Sequence, residues 1–267
     1  MAVMQTTDGT QLFYEDNGLK GHPTLIFLHG FSGNHAEFLA QQTFFTEQGY
    51  RVILLDWRNH GQSARVTYGL RISQLANDLD QVLSYLDLTS VHLVAHSMGA
   101  AVGWAYLSLY GSQRIQSIIT IDQSPQGLSS TNWPYGFCGY GWQELATVLQ
   151  VFPKIKMTAH RLPDTTFEAI RTLQARFPFD LVANQGLLRD HLVQDWRDVL
   201  SRLTIPTLLI AGAQSPLWSP QHAEVAANLV PQQLGKVAII EQSGHLPHAE
   251  QPRIFNQVVE RFLNKLI

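Results

Sequence analysis

Ser97 is the residue in this chain whose setting most clearly implies chemistry. It sits in Ala95-His96-Ser97-Met98-Gly99, directly after the apolar run Val91 to Val94 and before the helix-forming stretch Ala100 to Tyr110. A serine pinched between a buried strand and a helix start, with glycine two positions on, reads as a nucleophile elbow. The turn is tight, so its neighbours must be small and the hydroxyl is pushed out above the sheet edge. Glycine usually stands at both ends of this pattern; here Ala95 takes the first place. A nucleophilic hydroxyl needs a base, and His245 in Gln242-Ser243-Gly244-His245 follows the strand-like run Lys236 to Glu241. A neutral imidazole near its ordinary pKa can take the serine proton and return it to a leaving group. His248 lies three residues on, but His245 directly follows the glycine that ends the strand and is preferred. Acyl transfer also needs donors for the oxyanion. The expected pair is the backbone amides of Met98, after the serine, and of Phe31, in the loop that follows the apolar strand Leu25 to Leu28 and its His29-Gly30.

These residues need a scaffold, and the rest of the chain supplies one. Short apolar strands (Gln11 to Glu15, Thr24 to Leu28, Val52 to Leu55, Val91 to Ala95, Ile115 to Ile121, Thr207 to Ala211, Val237 to Ile240) alternate with amphipathic helices at Ala36 to Gln48, Ser73 to Leu86 and Phe255 to Leu266. That alternation predicts an α/β fold with a mostly parallel sheet covered on both faces. Ser73 is the expected N-cap of its helix. Between residues 125 and 203 the rhythm breaks into helical segments separated by proline and glycine. The expected organisation is a core of residues 1–124 and 204–267 with a helical cap insertion at 125–203. A cap over the strand C-termini would lie where open α/β sheets bind ligands. Its aromatics Trp133, Tyr135, Phe137 and Trp142, with Trp218 beyond it, are candidate substrate contacts.

Composition bounds the partners. The chain has 267 residues, 45% hydrophobic and 15% charged, which suits one body with a sizeable core. A net charge of −3 gives no electrostatic footprint for nucleic acid. No apolar run is long enough to span a bilayer, and Met1 to Asp8 lacks the basic-then-apolar order of a leader. The lone Cys138 fits a reducing compartment, so a cytoplasmic protein acting on a small molecule is expected. The histidines show no metal-ligand spacing, and neither metal nor cofactor is expected. Oligomeric state is left open.

Taken together, Leu28-His29-Gly30-Phe31, Asp56-Trp57-Arg58-Asn59-His60-Gly61-Gln62-Ser63, Ala95 to Gly99, and Ser243-Gly244-His245 through Pro252 resemble the α/β-hydrolase superfamily. The resemblance implies an α/β-hydrolase fold and a Ser-His-acid triad. Asp56 and Arg58 would shape the loop beside the site, and Asn59, at a position usually glycine, can still adopt the left-handed backbone. The acid departs from the common pattern: Gly212-Ala213-Gln214-Ser215 has serine where most relatives have aspartate. The other position used in the superfamily, after the preceding strand, holds Asp122 in Ile121-Asp122-Gln123-Ser124-Pro125. Asp122 is therefore the expected acid, with Glu241 a weaker candidate. The implied activity is a serine esterase. Two alternatives share the scaffold. One is a cofactor-free dioxygenase of an N-heteroaromatic ring, whose members resemble this chain around Asp56 to Gly61 but carry histidine where Met98 stands. The other is a non-enzymatic small-molecule receptor.

Overall fold

The computed structural model of the chain describes residues 2–231 and 233–266. The ends of the expected core, residues 1 and 267, lie outside the described residues. Eight strands form one sheet in the order β1-β2-β4-β3-β5-β6-β7-β8. They are β1 (Ala2–Gln5), β2 (Gln11–Asp16), β3 (Thr24–Leu28), β4 (Arg51–Leu55), β5 (Val91–His96), β6 (Ile115–Ile121), β7 (Thr207–Gly212) and β8 (Gly235–Ile240). The β1–β2 and β2–β4 pairs are antiparallel; every pair from β4–β3 to β7–β8 is parallel. Strand β1 was not foreseen: its short run Ala-Val-Met-Gln carries little pattern of its own and gains its place by pairing with β2.

The central strands are buried on both faces, which explains why they read as continuous apolar runs. Alternate residues enter two separate cores. Ile26, Leu28, Ile53, Leu55 and Leu93 face one core; Leu25, Phe27, Val52, Leu54 and Val94 face the other. The first core receives α2 (Ile72–Tyr85) and α3 (Met98–Tyr110). The second is closed by α1 (Leu39–Glu47) and the strongly amphipathic α10 (Pro252–Leu263). Helix α2 begins one residue before the expected cap, Ser73. The backbone N–H of Ile72 donates instead to the Asp190 carboxylate at 2.8 Å, so a distant side chain does the capping.

The segment between β6 and β7 holds α4 (Leu145–Val151), α5 (Asp164–Arg176), α6 (Gln185–Leu192) and α7 (Arg197–Leu200) and contributes no strand to the sheet. Its base is stitched shut: Gly127 N–H donates to Gln194 O and Trp196 N–H to Pro125 O. Two further helices, α8 (Gln221–Leu229) and α9 (Pro247–Glu250), flank β8. None of the helices is long and apolar enough among the described residues to cross a membrane.

The sheet and α3 meet closely at the elbow. A Cβ on Gly99 would come within 2.3 Å of the Leu28 carbonyl oxygen, a rigid backbone atom. Gly99→Ala should therefore force α3 away from β3 and lower stability by about 1–3 kcal/mol, as overpacking does. Chemical denaturation measures it; wild-type stability would show that the contact has slack.

Candidate active site

Ser97 occupies the turn between β5 and α3 with φ 51° and ψ −121°, a backbone that a residue bearing a side chain adopts only under constraint. The constraint is visible. Its N–H donates to Ile121 O at 2.9 Å, and its carbonyl accepts from Ala100 N–H at 2.8 Å. Gly30 makes room for it, since a Cβ there would lie 3.0 Å from the Ser97 Cβ. Ala95 pairs with Leu28 on one side and Thr120 on the other and is fully buried, so alanine fits where glycine is usual.

Asp122 ends β6, also with a left-handed backbone (φ 47°), which aspartate tolerates. Its carboxylate is completely buried and accepts three hydrogen bonds. His245 Nδ1 donates to Oδ2 at 2.6 Å, the Ser215 hydroxyl donates to the same oxygen at 2.6 Å, and Gly212 N–H donates to Oδ1 at 3.0 Å. Burial alone would raise the Asp122 pKa; the bond and charge of His245 and the Ser215 bond outweigh it and hold the carboxyl below its usual range. Ser215, read from the sequence as standing where an acid was expected, instead donates to the Asp122 carboxylate. Glu241 is exposed at the end of β8 and bonds no histidine among the described residues.

His245 is held from both ends. Its N–H donates to Met157 O at 2.8 Å, a contact from the segment between α4 and α5. Burial pushes its pKa below the ordinary histidine value; the Asp122 hydrogen bond opposes that shift without reversing it. Glu250, in α9, clamps this loop. One carboxylate oxygen accepts from Gly244 N–H at 2.9 Å, and the other from Ala159 and His160 N–H at 2.8 Å each. The imidazole loop and the helical insertion are therefore tied through one side chain.

Ser97 and His245 line the same crevice, a cavity of 210 Å³. No hydrogen bond joins Ser97 Oγ to His245 Nε2 among the described residues, a looseness common in unliganded sites. Phe31 also lines the cavity, and Met98 opens α3 beside it. Neither the Phe31 nor the Met98 N–H has a backbone acceptor outside regular helix and strand bonding among the described residues.

None of the five expected aromatic contacts lines this crevice; four are packed in or against the insertion and Trp142 is exposed. Trp133 is buried, donates its indole N–H to Ser124 Oγ at 2.9 Å, and packs edge-on against Tyr135. Phe137 is buried between Phe152 and Trp218. Trp142 is 60% exposed. An aromatic in an insertion has two demands on it, a core to fill and a ligand to meet; Trp133 and Phe137 fill the core, Tyr135 packs against it, and Trp142 does neither. The apolar wall of the cavity comes instead from Phe31, Phe152, Met157, Leu162, Ile170 and Leu246, with Gln174 as a polar contact. Ile170 and Gln174 lie on one face of α5, a helix whose sequence gives no sign of where it docks.

The Asp56 loop beside the site is structural. Asp56 accepts from His35 N–H and Nδ1 and from Gln62 N–H, and Arg58 pairs with Asp78. Asn59 has φ 65°.

Comparison with known proteins agrees with this architecture. A bifunctional esterase/perhydrolase of Acinetobacter calcoaceticus is 26% identical over 226 residues, covering 79% of this chain and 81% of its own. A 3-oxoadipate enol-lactonase of Acinetobacter baylyi is 24% identical and covers 97% of this chain and 96% of its own. Among solved structures, an esterase from Exiguobacterium antarcticum superposes with a TM-score of 0.86 at 23% identity, covering 98% of this chain and 99% of its own. Residues 23–252 match the family described as the alpha/beta hydrolase fold. With that match over most of its length, and with a serine elbow at the C-terminal edge of a mostly parallel eight-stranded sheet, the chain belongs to the α/β-hydrolase family.

Proposed function

We propose that this protein is a serine esterase that cleaves small carboxylic esters through an acyl-enzyme. The observation that carries the reading is the buried Asp122–His245 contact at 2.6 Å, with His245 and Ser97 on the wall of one crevice. Ser97 Oγ attacks the ester carbonyl while His245 Nε2 takes its proton. The Phe31 and Met98 amides stabilise the oxyanion, and His245 then protonates the leaving alkoxide. Water, deprotonated by the same imidazole, attacks the acyl-Ser97 ester and releases the acid. Asp122 fixes the tautomer with Nδ1–H and balances the imidazolium that forms in each half-reaction. Residues 125–203 act as a cap that walls the cavity with Phe152, Met157, Leu162 and Ile170.

Size narrows the substrate. A cavity of about 210 Å³ is smaller than the roughly 300–1,000 Å³ of sites for drug-sized ligands, which suits a short acyl group. The names of relatives, an esterase/perhydrolase and an enol-lactonase, support ester-like chemistry.

Ser97→Ala should lower ester turnover by at least about 10³-fold and abolish labelling by a fluorophosphonate probe. Labelling that survives the change would place the nucleophile elsewhere.

Because the His245 pKa lies below the ordinary value of 6.5 and only the neutral ring is a base, kcat/KM should hold as pH falls to 6.5 and decline below it. A pH–rate profile with its acid limb above 6.5 would contradict that setting.

Ser215→Ala removes a hydrogen bond to a buried carboxylate and should lower kcat about 10-fold or more. Asp122→Asn should lower it by about 10⁴-fold, since the wrong tautomer is then favoured. Equal kcat values for Asp122→Asn and the wild type in steady-state assays would remove Asp122 from the mechanism.

A further inference from the structure

Behind the proposed triad lies a second set of buried polar groups that this mechanism does not use. Glu37, in the 3₁₀ turn His35–Phe38, is 4% exposed; His96, the last residue of β5, is 3% exposed; His248, in α9, is fully buried. His96 Nδ1 lies 2.8 Å from Glu37 Oε1, and His96 Nε2 lies 2.9 Å from the carbonyl oxygen of His245. His248 Nε2 approaches the same Glu37 oxygen at 3.5 Å. Gly33 leaves the space for this carboxylate: a Cβ there would meet Glu37 Oε2 at 2.5 Å.

Counting protons decides what the arrangement is. A carbonyl oxygen only accepts, so His96 Nε2 must carry a proton. Glu37 Oε1 faces Nδ1 at hydrogen-bonding distance, so a second proton must lie between them. Burial would raise the Glu37 pKa, but the neighbouring His96 and His248 outweigh it and hold this carboxyl well below the usual range, so it stands as an acceptor facing Nδ1. With an acceptor oxygen at each ring nitrogen, His96 bridges a buried carboxylate and the main chain of the proposed general base. The three side chains could also be read as a metal site, since their ligand atoms lie within 4.8 Å of one another. Tetrahedral zinc with bonds of about 2.0–2.1 Å keeps its ligands roughly 3.3 Å apart, whereas Nδ1 and Oε1 are already at 2.8 Å with a proton between them.

The consequence is mechanical. The His245 ring is fixed by Asp122 at Nδ1, and its main chain is fixed by Met157 O at the N–H and by His96 at the carbonyl. Without the last bond a buried carbonyl loses its donor and the loop has reason to move. The His96 and His245 rings lie 4.7 Å apart, and His96 immediately precedes Ser97 in the chain. One ring therefore ties the strand bearing the nucleophile to the loop bearing the base. We propose that Glu37 and His96 form a positioning pair: the carboxylate keeps the imidazole doubly protonated, and the imidazole's second N–H holds the His245 carbonyl so that Nε2 of that residue points at Ser97. This rests on His245 being the base.

The test has a kinetic arm and a spectroscopic arm. His96→Leu should lower kcat about 10²-fold, the loss expected from a displacement of about 1 Å, with KM changed less than about threefold. His96→Gln, whose amide N–H can reach the Nε2 position, should recover most of that loss. Nitrogen-15 NMR of the wild type at pH 7 should show both His96 ring nitrogens protonated, with a scalar coupling across the bond to the His245 carbonyl carbon. In Glu37→Gln the ring should become neutral and keep its proton on Nε2. The proposal is overturned by a wild-type ring with one proton, by a ring that stays doubly protonated in Glu37→Gln, by a folded His96→Leu with wild-type kcat, or by stoichiometric zinc in the purified protein. The spectroscopic arm needs no substrate and no folded His96→Leu. If the wild type cleaves no ester, the esterase reading fails while NMR still decides the positioning pair.

Discussion

A charge with no access to water organises this molecule. The Asp122 carboxylate is completely buried, and an isolated ion in such a place would cost several kcal/mol. Three donors make it tolerable: an imidazole from the loop after β8, a hydroxyl from the loop after β7 and an amide at the end of β7. Satisfying one anion thus draws two separate chain segments, the end of β7 with its following turn and the loop after β8, to the end of β6. Ser215 and His245 share one oxygen of that carboxylate, so the hydroxyl helps fix the anion that holds the imidazole.

The same sheet edge also concentrates strain and close approach. Ser97 and Asp122 both have positive φ without being glycine, at the ends of neighbouring parallel strands. Each is held by a main-chain bond to the next strand: Ser97 N–H to Ile121 O, and Asp122 N–H to Ile210 O at 2.7 Å. Gly30, Gly99 and Gly212 sit where any Cβ would press on neighbouring atoms; for Gly212 the nearest is Gly244 O at 1.9 Å. The hydrogen-bonded sheet and the two packed cores beneath it supply the stability against which this local strain, about 1–3 kcal/mol per residue, is sustained.

What could be read in the chain is whatever local chemistry dictates. The elbow was legible because a tight strand-to-helix turn restricts the residues around Ser97. The parallel strands were legible because burial on both faces leaves unbroken apolar runs such as Leu25 to Leu28. The fold and the family follow from those features. The contribution of α5 to the cavity was not legible, because Ile170 and Gln174 lie on a helix whose docking is decided by tertiary packing. The burial of Trp133, Phe137 and Trp218 was not legible for a related reason: an aromatic ring looks the same in sequence whether it fills a core or meets a ligand. Ser73 failed as a cap because Asp190, far along the chain, supplies the acceptor. The Glu250 clamp was not legible, because its partners, Gly244, Ala159 and His160, meet it only once the insertion has folded onto the histidine loop.

The central claim is that Ser97, His245 and the Phe31 and Met98 amides converge on one reacting carbon. The most direct measurement is a crystal structure of the wild type after reaction with a small phosphonate ester. The account predicts phosphorus bonded to Ser97 Oγ and one phosphoryl oxygen within about 2.7–3.1 Å of both the Phe31 and Met98 nitrogens. It also predicts His245 Nε2 turned toward the Ser97 oxygen. Phosphorus on another residue, or an adduct on Ser97 whose oxygen points away from both amides, would contradict it.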